Sequence, residues 1–225
     1  MNKKWNTKIL RIDSEDIDIS VWGEESEKFT RKVGEFLQLK ANKKVSRINV
    51  IPVKEQQSKN IKTTTTKLFE MEIDFVNLVE ESSNFETEKI QTSPRGSPKT
   101  DAFRRDLTIN SLFYNINESL VEDFTEMGID DLHHKILRTP LDPSITFTMD
   151  AARILRTFRF SCKYRFTLHP SISFSILKEG PNTPRYFLDK KITKDRIGTE
   201  LLSMFRNKKL FFIFYFLFFI LFIFF

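Results

Sequence analysis

The sequence predicts an α+β protein, a mixed sheet with flanking helices followed by an all-α segment, and three observations predict it. Apolar residues alternate with a period of two in SEDIDISVW (Ser14–Trp22) and in MEIDFVNLV (Met71–Val79), the pattern of a half-buried strand. Between them, Glu25–Leu39 carries Phe29, Val33, Phe36 and Leu37 at helical spacing. From Thr148 onward the strand pattern gives way to helical stripes, first in DAARILRTFRF and again over Lys191–Phe205. At 225 residues the chain has room for one large domain or two small ones.

In chain order, Ser14–Trp22 is the first expected strand. Alternation puts Asp16 and Asp18 on one face and Ile17, Ile19 and Val21 on the other. Two like charges on one strand face repel and are costly to desolvate. Solvated strand carboxylates account for the pair, and so does a cation held between them. The helix Glu25–Leu39 follows, then a second strand over Arg47–Val53. Thr63–Phe69, a β-branched run, and Met71–Val79 meet at Phe69–Glu70, which fits a hairpin. Asp74, between Ile73 and Phe75, is a third carboxylate breaking an apolar run; paired strands lie ~4.8 Å apart, so it falls within reach of the site formed by the first two.

Ser82–Thr100 has no periodicity and is punctuated by Ser-Pro and Gly, so it is expected to be a mobile loop. DAFRRDLTINSLFYNI then sets Leu107, Ile109, Leu112 and Phe113 among Arg104, Arg105, Asp106 and Asn110. KILRTPLDP reads as a short strand closed by a Pro-rich turn. In the helical half, Ile154, Leu155 and Phe158 form one stripe with Arg153, Arg156 and Arg159 beside it. There are no internal repeats.

The net charge of +6 and a pI of about 9.3 suit a polyanionic partner without demanding one. A single cysteine, Cys162, excludes an intrachain disulfide and a thiolate metal site, and is expected to be a small core residue. His133, His134 and His169 lack zinc-ligand spacing, so a metal here would rest on oxygen ligands, as Mg²⁺ does. MNKKWNTKIL holds no apolar segment of the secretory kind. Leu210–Phe225 is wholly apolar; as a helix it would span about 24 Å, short of the ~30 Å hydrocarbon core. It is either a short membrane anchor or low-complexity sequence of AT-rich origin, and it is not expected to join a soluble fold. Membrane contact is expected only through this run, and the composition does not choose a compartment.

RRDLTINSLFYNI (Arg104–Ile116), VEDFTEMGIDDL (Val121–Leu132), MDAARILRTFRF (Met149–Phe160) and KITKDRIGTELLSMF (Lys191–Phe205) resemble, in order and spacing, successive motifs of the CCA-adding tRNA nucleotidyltransferases. The resemblance is to the class shared with bacterial poly(A) polymerase, in its eukaryotic type, and covers roughly Lys8 to Arg206. It implies a polymerase-beta-like nucleotidyltransferase head over residues 1–143, incomplete at its N-terminus, an all-α neck over 144–206, and a hydrophobic tail outside the fold over 207–225. It implies that Asp16 and Asp18 hold catalytic Mg²⁺ with Asp74 as third acidic residue. Arg105, Asp106 and Asn110 match the residues that bind the sugar and phosphates of the incoming nucleotide. Glu122, Asp123 and Gly128 match a flexible motif linked to the switch from CTP to ATP.

Asp150 and Arg153 match the pair that serves as an amino-acid template for the base. Residues at i and i+3 share a helix face, so this carboxylate and guanidinium are expected side by side; an ordinary surface ion pair is the plain alternative. Arg156 is expected to contact phosphates or to brace the fold, and Arg196 and Glu200 to form a helix-bracing ion pair, with Asp195 where glutamate is usual. The implied activity is Mg²⁺-dependent transfer of CMP and AMP from CTP and ATP to the tRNA 3′ end. Poly(A) polymerase, a partial CC- or A-adding enzyme, and a non-catalytic RNA-binding or membrane-anchored remnant are the alternatives.

The chain departs from that pattern in places. KKWNTKIL stands where a Gly-Gly turn and a helix beginning Arg-Asp should cradle the triphosphate. Glycine amides approach phosphate closely because no Cβ intervenes, so weakened nucleotide binding is expected. Val79 stands where an arginine should end the strand, and Met149 where an acid should precede the template aspartate. The phenylalanine run stands where helical body and tail domains should follow. The expectation is a family head and neck cut short at both ends.

Overall fold

The computed structural model describes residues 16–41, 48–51, 63–68, 71–78, 80–84, 89–93, 96–190 and 192–205. Contacts divide the chain into two compact units, Met1–Arg104 with Asn110–Phe124, and Arg105–Ile109 with Thr125–Phe225.

The first unit is built on a four-stranded sheet in the order β1–β4–β3–β2, with β1 at Asp16–Val21, β2 at Asn49–Ile51, β3 at Thr63–Leu68 and β4 at Met71–Asn77. β3 and β4 form the expected hairpin, closing at Leu68 opposite Met71. β1 runs parallel to β4, a pairing that needs a long crossover. Helix α1 (Ser26–Ala41) lies in that crossover. Its Phe29, Val33 and Leu37 pack with Ile17, Ile19, Val21, Leu68, Ile73 and Phe75, so helical and strand periodicities meet on one face of the sheet. The Phe29 and Phe75 rings lie 5.7 Å apart. Phe36, expected in the stripe, is 60% exposed, unlike Phe29, Val33 and Leu37, which pack on the sheet.

The β1–α1 loop is pinned from β4. Asn77 Nδ2 donates to Glu24 O at 2.7 Å and Asn77 Oδ1 accepts from Ser26 N at 2.9 Å. Gly23 turns the chain there with φ +85°, where a side chain is disfavoured.

Ser82–Thr100 is not the loop its sequence led us to expect. β5 (Glu80–Asn84) and β6 (Lys89–Ser93) pair antiparallel, and α2 (Pro98–Phe103) follows. Backbone hydrogen bonds hold this polar ribbon, so hydrophobic alternation does not betray it. The Ser-Pro that read as loop punctuation starts a helix: Ser97 and Thr100 form a reciprocal capping box with Pro98 as first residue. A second ribbon pairs β7 (Phe113–Asn115) with β8 (Leu120–Glu122). Phe113, Leu78 and Ala102 bury together against Phe124.

The second unit is helical: α3 (Gly128–His134), α4 (Pro143–Met149), α5 (Ala152–Tyr164), α6 (Pro170–Leu177), α7 (Pro184–Lys190) and α8 (Lys194–Phe205). Ile154, Leu155 and Phe158, the predicted stripe, join Phe147, Ile172, Ile176, Leu188 and Met204 in its core. Cys162 is buried, as expected. KILRTPLDP makes the expected strand, β9 (Ile136–Leu137), but its end opens a helix rather than a turn, because Asp142 caps Ser144 N at 2.8 Å and Pro143 begins α4. β9 pairs in parallel with β10 (Thr167–Leu168), which knits residues after Phe124 to the helical part. Among the described residues no helix is long and apolar enough to cross a membrane; Leu210–Phe225 lies outside them.

Candidate active site

The sheet of the first unit buries one face and leaves the other to polar residues. Register decides what meets there. Asp18 is directly opposite Asp74 across the parallel pair, and Asp16 is opposite Glu72. Across the hairpin, Asp74 is opposite Thr65 and Glu72 opposite Lys67. Paired residues point to the same side of a sheet, so Asp18, Asp74 and Thr65 form one polar row, flanked by Glu72 and Lys67. Asp18 and Asp74 are half-buried. Thr65 Oγ1 donates to Asp74 Oδ1 at 2.5 Å. Asp16 has its backbone in β1, but its side chain lies outside the described residues.

Two carboxylates opposed on neighbouring strands repel unless something positive or proton-donating lies against them. Thr65 supplies one donor. An all-oxygen donor set suits a hard divalent cation of the Mg²⁺ kind, so the residues present fit the expected metal. Among the described residues no three His, Cys, Asp or Glu side chains cluster closely enough to ligate one.

The second unit carries a separate set of ion pairs along α5. Arg156 Nε donates to Asp106 Oδ2 at 2.8 Å, and Asp106 Oδ1 accepts from Leu107 N at 2.9 Å. The Asp106 carboxylate holds the Arg156 guanidinium above its ordinary pKa, against burial, which pulls it down. One turn on, Arg159 Nε donates to Glu200 Oε2 at 2.5 Å and its guanidinium stands 4.6 Å from the Phe160 ring centre. Arg196 Nη2 bridges both oxygens of Asp150 at 2.8 Å.

Two expectations are corrected here. Asp150 and Arg153 do not share a helix face. Asp150 is extended, with φ −152° and ψ 104°, and ends α4; its Oδ1 accepts from Ala152 N, the first residue of α5, at 3.1 Å. Arg153 lies within α5 and reaches back to Thr146 O at 3.4 Å. Arg196 and Glu200 do not pair with each other either. They stand one turn apart on α8, which packs along α5, so each finds a partner across the gap instead, Asp150 and Arg159.

Arg105 is half-buried and Asn110 closes the 3-10 turn Thr108–Asn110. Arg105 and Asp106 belong to the second unit and Asn110 to the first. Arg104 is taken by Asp101, 1% exposed, through Nε at 2.6 Å. Glu122, in β8, accepts from Asn115 Nδ2 at 2.9 Å. Asp123 follows it half-buried, and Gly128 opens α3.

Sequence reasoning missed Thr65 and Asp131. Thr65 was legible once the hairpin was assigned, since parity places it on the face of Asp74. Asp131 gave no signal: its partners Thr108 Oγ1, at 2.7 Å, and Arg138 Nη2, at 3.2 Å, are distant or unmarked in sequence.

A profile described as Poly A polymerase head domain matches residues 7–138. The mitochondrial CCA tRNA nucleotidyltransferase of Saccharomyces cerevisiae is 39% identical over 197 residues, which span 86% of this chain and 35% of that protein. The chain thus spans about a third of that relative's length. Among solved structures, the Bacillus stearothermophilus CCA-adding enzyme in complex with CTP matches with a TM-score of 0.63 at 18% identity, over 89% of this chain and 42% of that one. A tRNA nucleotidyltransferase complexed with a primer tRNA and an incoming ATP analog matches with a TM-score of 0.55 at 23% identity, over 91% and 54%. At these identities the likeness to the solved structures is one of fold.

Proposed function

Because the chain belongs to the poly(A) polymerase head-domain family, we propose that it is the head and neck of a CCA-adding tRNA nucleotidyltransferase. It transfers CMP and AMP from CTP and ATP to the 3′ end of tRNA and releases pyrophosphate. The observation that carries this reading is the register of Asp18 opposite Asp74 on a parallel strand pair, a two-carboxylate platform on β1 and β4 of the sheet. We assign the head to residues 1–143 and the neck to 144–206. With the yeast relative named as mitochondrial, mitochondrial tRNA belongs to the proposed substrate pool.

Asp16, Asp18 and Asp74 would hold Mg²⁺. Bound there, the metal would supply Lewis-acid chemistry that lowers the pKa of the attacking hydroxyl and neutralises charge on the triphosphate. The chain's own residues bind and orient. Arg105, Asp106 and Asn110 take the sugar and phosphates, with Asp106 held in place by Arg156 and its neighbour's amide. Asp150 offers acceptors to an exocyclic amino group and Arg153 offers donors to ring acceptors, an edge that cytosine and adenine both present. The bridging Arg196 fixes the Asp150 carboxylate plane, which is what a template needs. Glu122, Asp123 and Gly128 serve the switch from CTP to ATP.

The test is product sequencing. A tRNA lacking its 3′ CCA is incubated with the chain, CTP, ATP and Mg²⁺, and its new 3′ ends are read. Addition of C, C and A that disappears in Asp18→Ala supports the reading. Untemplated A-tracts on any RNA assign a poly(A) polymerase instead. No addition, with no binding of CTP or ATP, overturns it.

A further inference from the structure

We propose that Thr65 is a positioning residue for divalent-cation binding, its hydroxyl holding the Asp74 carboxylate in place. The inference rests on the reading of Asp18 and Asp74 as metal ligands and adds a residue to it. β3 reads as an undifferentiated threonine run, but its register divides the hydroxyls by task. Thr64 and Thr66 face the core, 0% and 2% exposed, and Thr64 Oγ1 lies 3.2 Å from Ser26 Oγ. Thr65 faces the other way, in the row that Asp74 and Asp18 complete.

An ionised carboxylate has no proton to give, so in the 2.5 Å contact Thr65 donates and Asp74 accepts. Among the described residues this is the hydrogen bond that the Asp74 side chain accepts, and it engages Oδ1 alone. One oxygen is thereby fixed by the protein, and the side-chain torsion is set before any cation arrives. Outer groups that orient ligands in this way change metal affinity by roughly 10- to 100-fold when removed. A hydrogen bond that merely braces the sheet makes a different forecast, in which stability falls and metal binding does not.

The measurement is Mn²⁺ binding to the whole chain, followed by the electron paramagnetic resonance of free Mn²⁺, with Mg²⁺ as competitor and thermal melting recorded alongside. Thr65→Val keeps the shape and strand preference but loses the donor; Thr65→Ser keeps the donor. Weaker Mn²⁺ binding by about 10-fold or more in T65V, near wild-type binding in T65S, and folded protein in both, is the expected result. T65V binding like wild type while Asp18→Ala loses the ion overturns the role of Thr65 alone. Unchanged binding in D18A, or a wild-type chain that binds no Mn²⁺, overturns the metal-site reading beneath it. Should T65V melt below the assay temperature, Thr65→Ala carries the same comparison with T65S.

Discussion

Asp131 shows how much one side chain can hold. It is 2% exposed and takes a hydroxyl from Thr108 and a guanidinium from Arg138, tying the Arg105–Ile109 segment to α3. Thr108 is itself fully buried. Removing the carboxylate strands both donors, so Asp131→Ala should destabilise the chain by about 3 kcal/mol, read as the urea midpoint shift at unchanged slope. Cys162 provides a pH test. Burial pushes its thiol pKa up, so the folded chain keeps a proton that the unfolded chain gives up. That contribution is complete below the unfolded thiol's pKa and is lost as pH rises through the folded one. The wild-type chain should therefore lose more stability than Cys162→Ala between neutral and alkaline pH. Equal slopes would mean the thiol does not titrate differently on folding.

Among the elements, α3 and α5 end alike. Lys135, with φ 58° and ψ 44°, and Arg165, with φ 58° and ψ 42°, stand in the left-handed region just past each helix, and the chain then enters β9 or β10. Glycine takes that position without strain, whereas other residues lose about 1 kcal/mol there. Lys135→Gly and Arg165→Gly should each raise stability by up to about 1 kcal/mol, less whatever the cation contributes at the helix C-terminus; thermal melting reads the sign. Helix stripes and strand parity were legible because they rest on local spacing, as in the Phe29, Val33 and Leu37 line and the alternation around Asp74. The β5–β6 ribbon was not, because its pairing is made by backbone groups that every residue carries.

For the molecule as a whole, two cores make a forecast. Phe75 is 2% exposed in the first and Ile154 fully buried in the second. Phe75→Ala should lose about 3–5 kcal/mol and Ile154→Ala about 2–5 kcal/mol. Hydrogen exchange mapped by peptide should show each loss first in its own unit, β1, β3, β4 and α1 for Phe75, and α4, α5, α6 and α8 for Ile154. Acceleration spread evenly over the chain in both variants would mean that the units unfold as one.

By itself the sequence determined the class of fold, the identity of the sheet's two faces, the hairpin, the stripe of α5 and the family. All of these depend on residue type at short spacing, which the chain displays directly. Tertiary structure alone decided which partner each charge takes. Asp150 leaves the helix face and meets Arg196, and Glu200 meets Arg159. Those choices join residues 46 and 41 positions apart. Sequence order cannot rank such pairs, because their energies depend on distances that exist only after the apolar cores have formed.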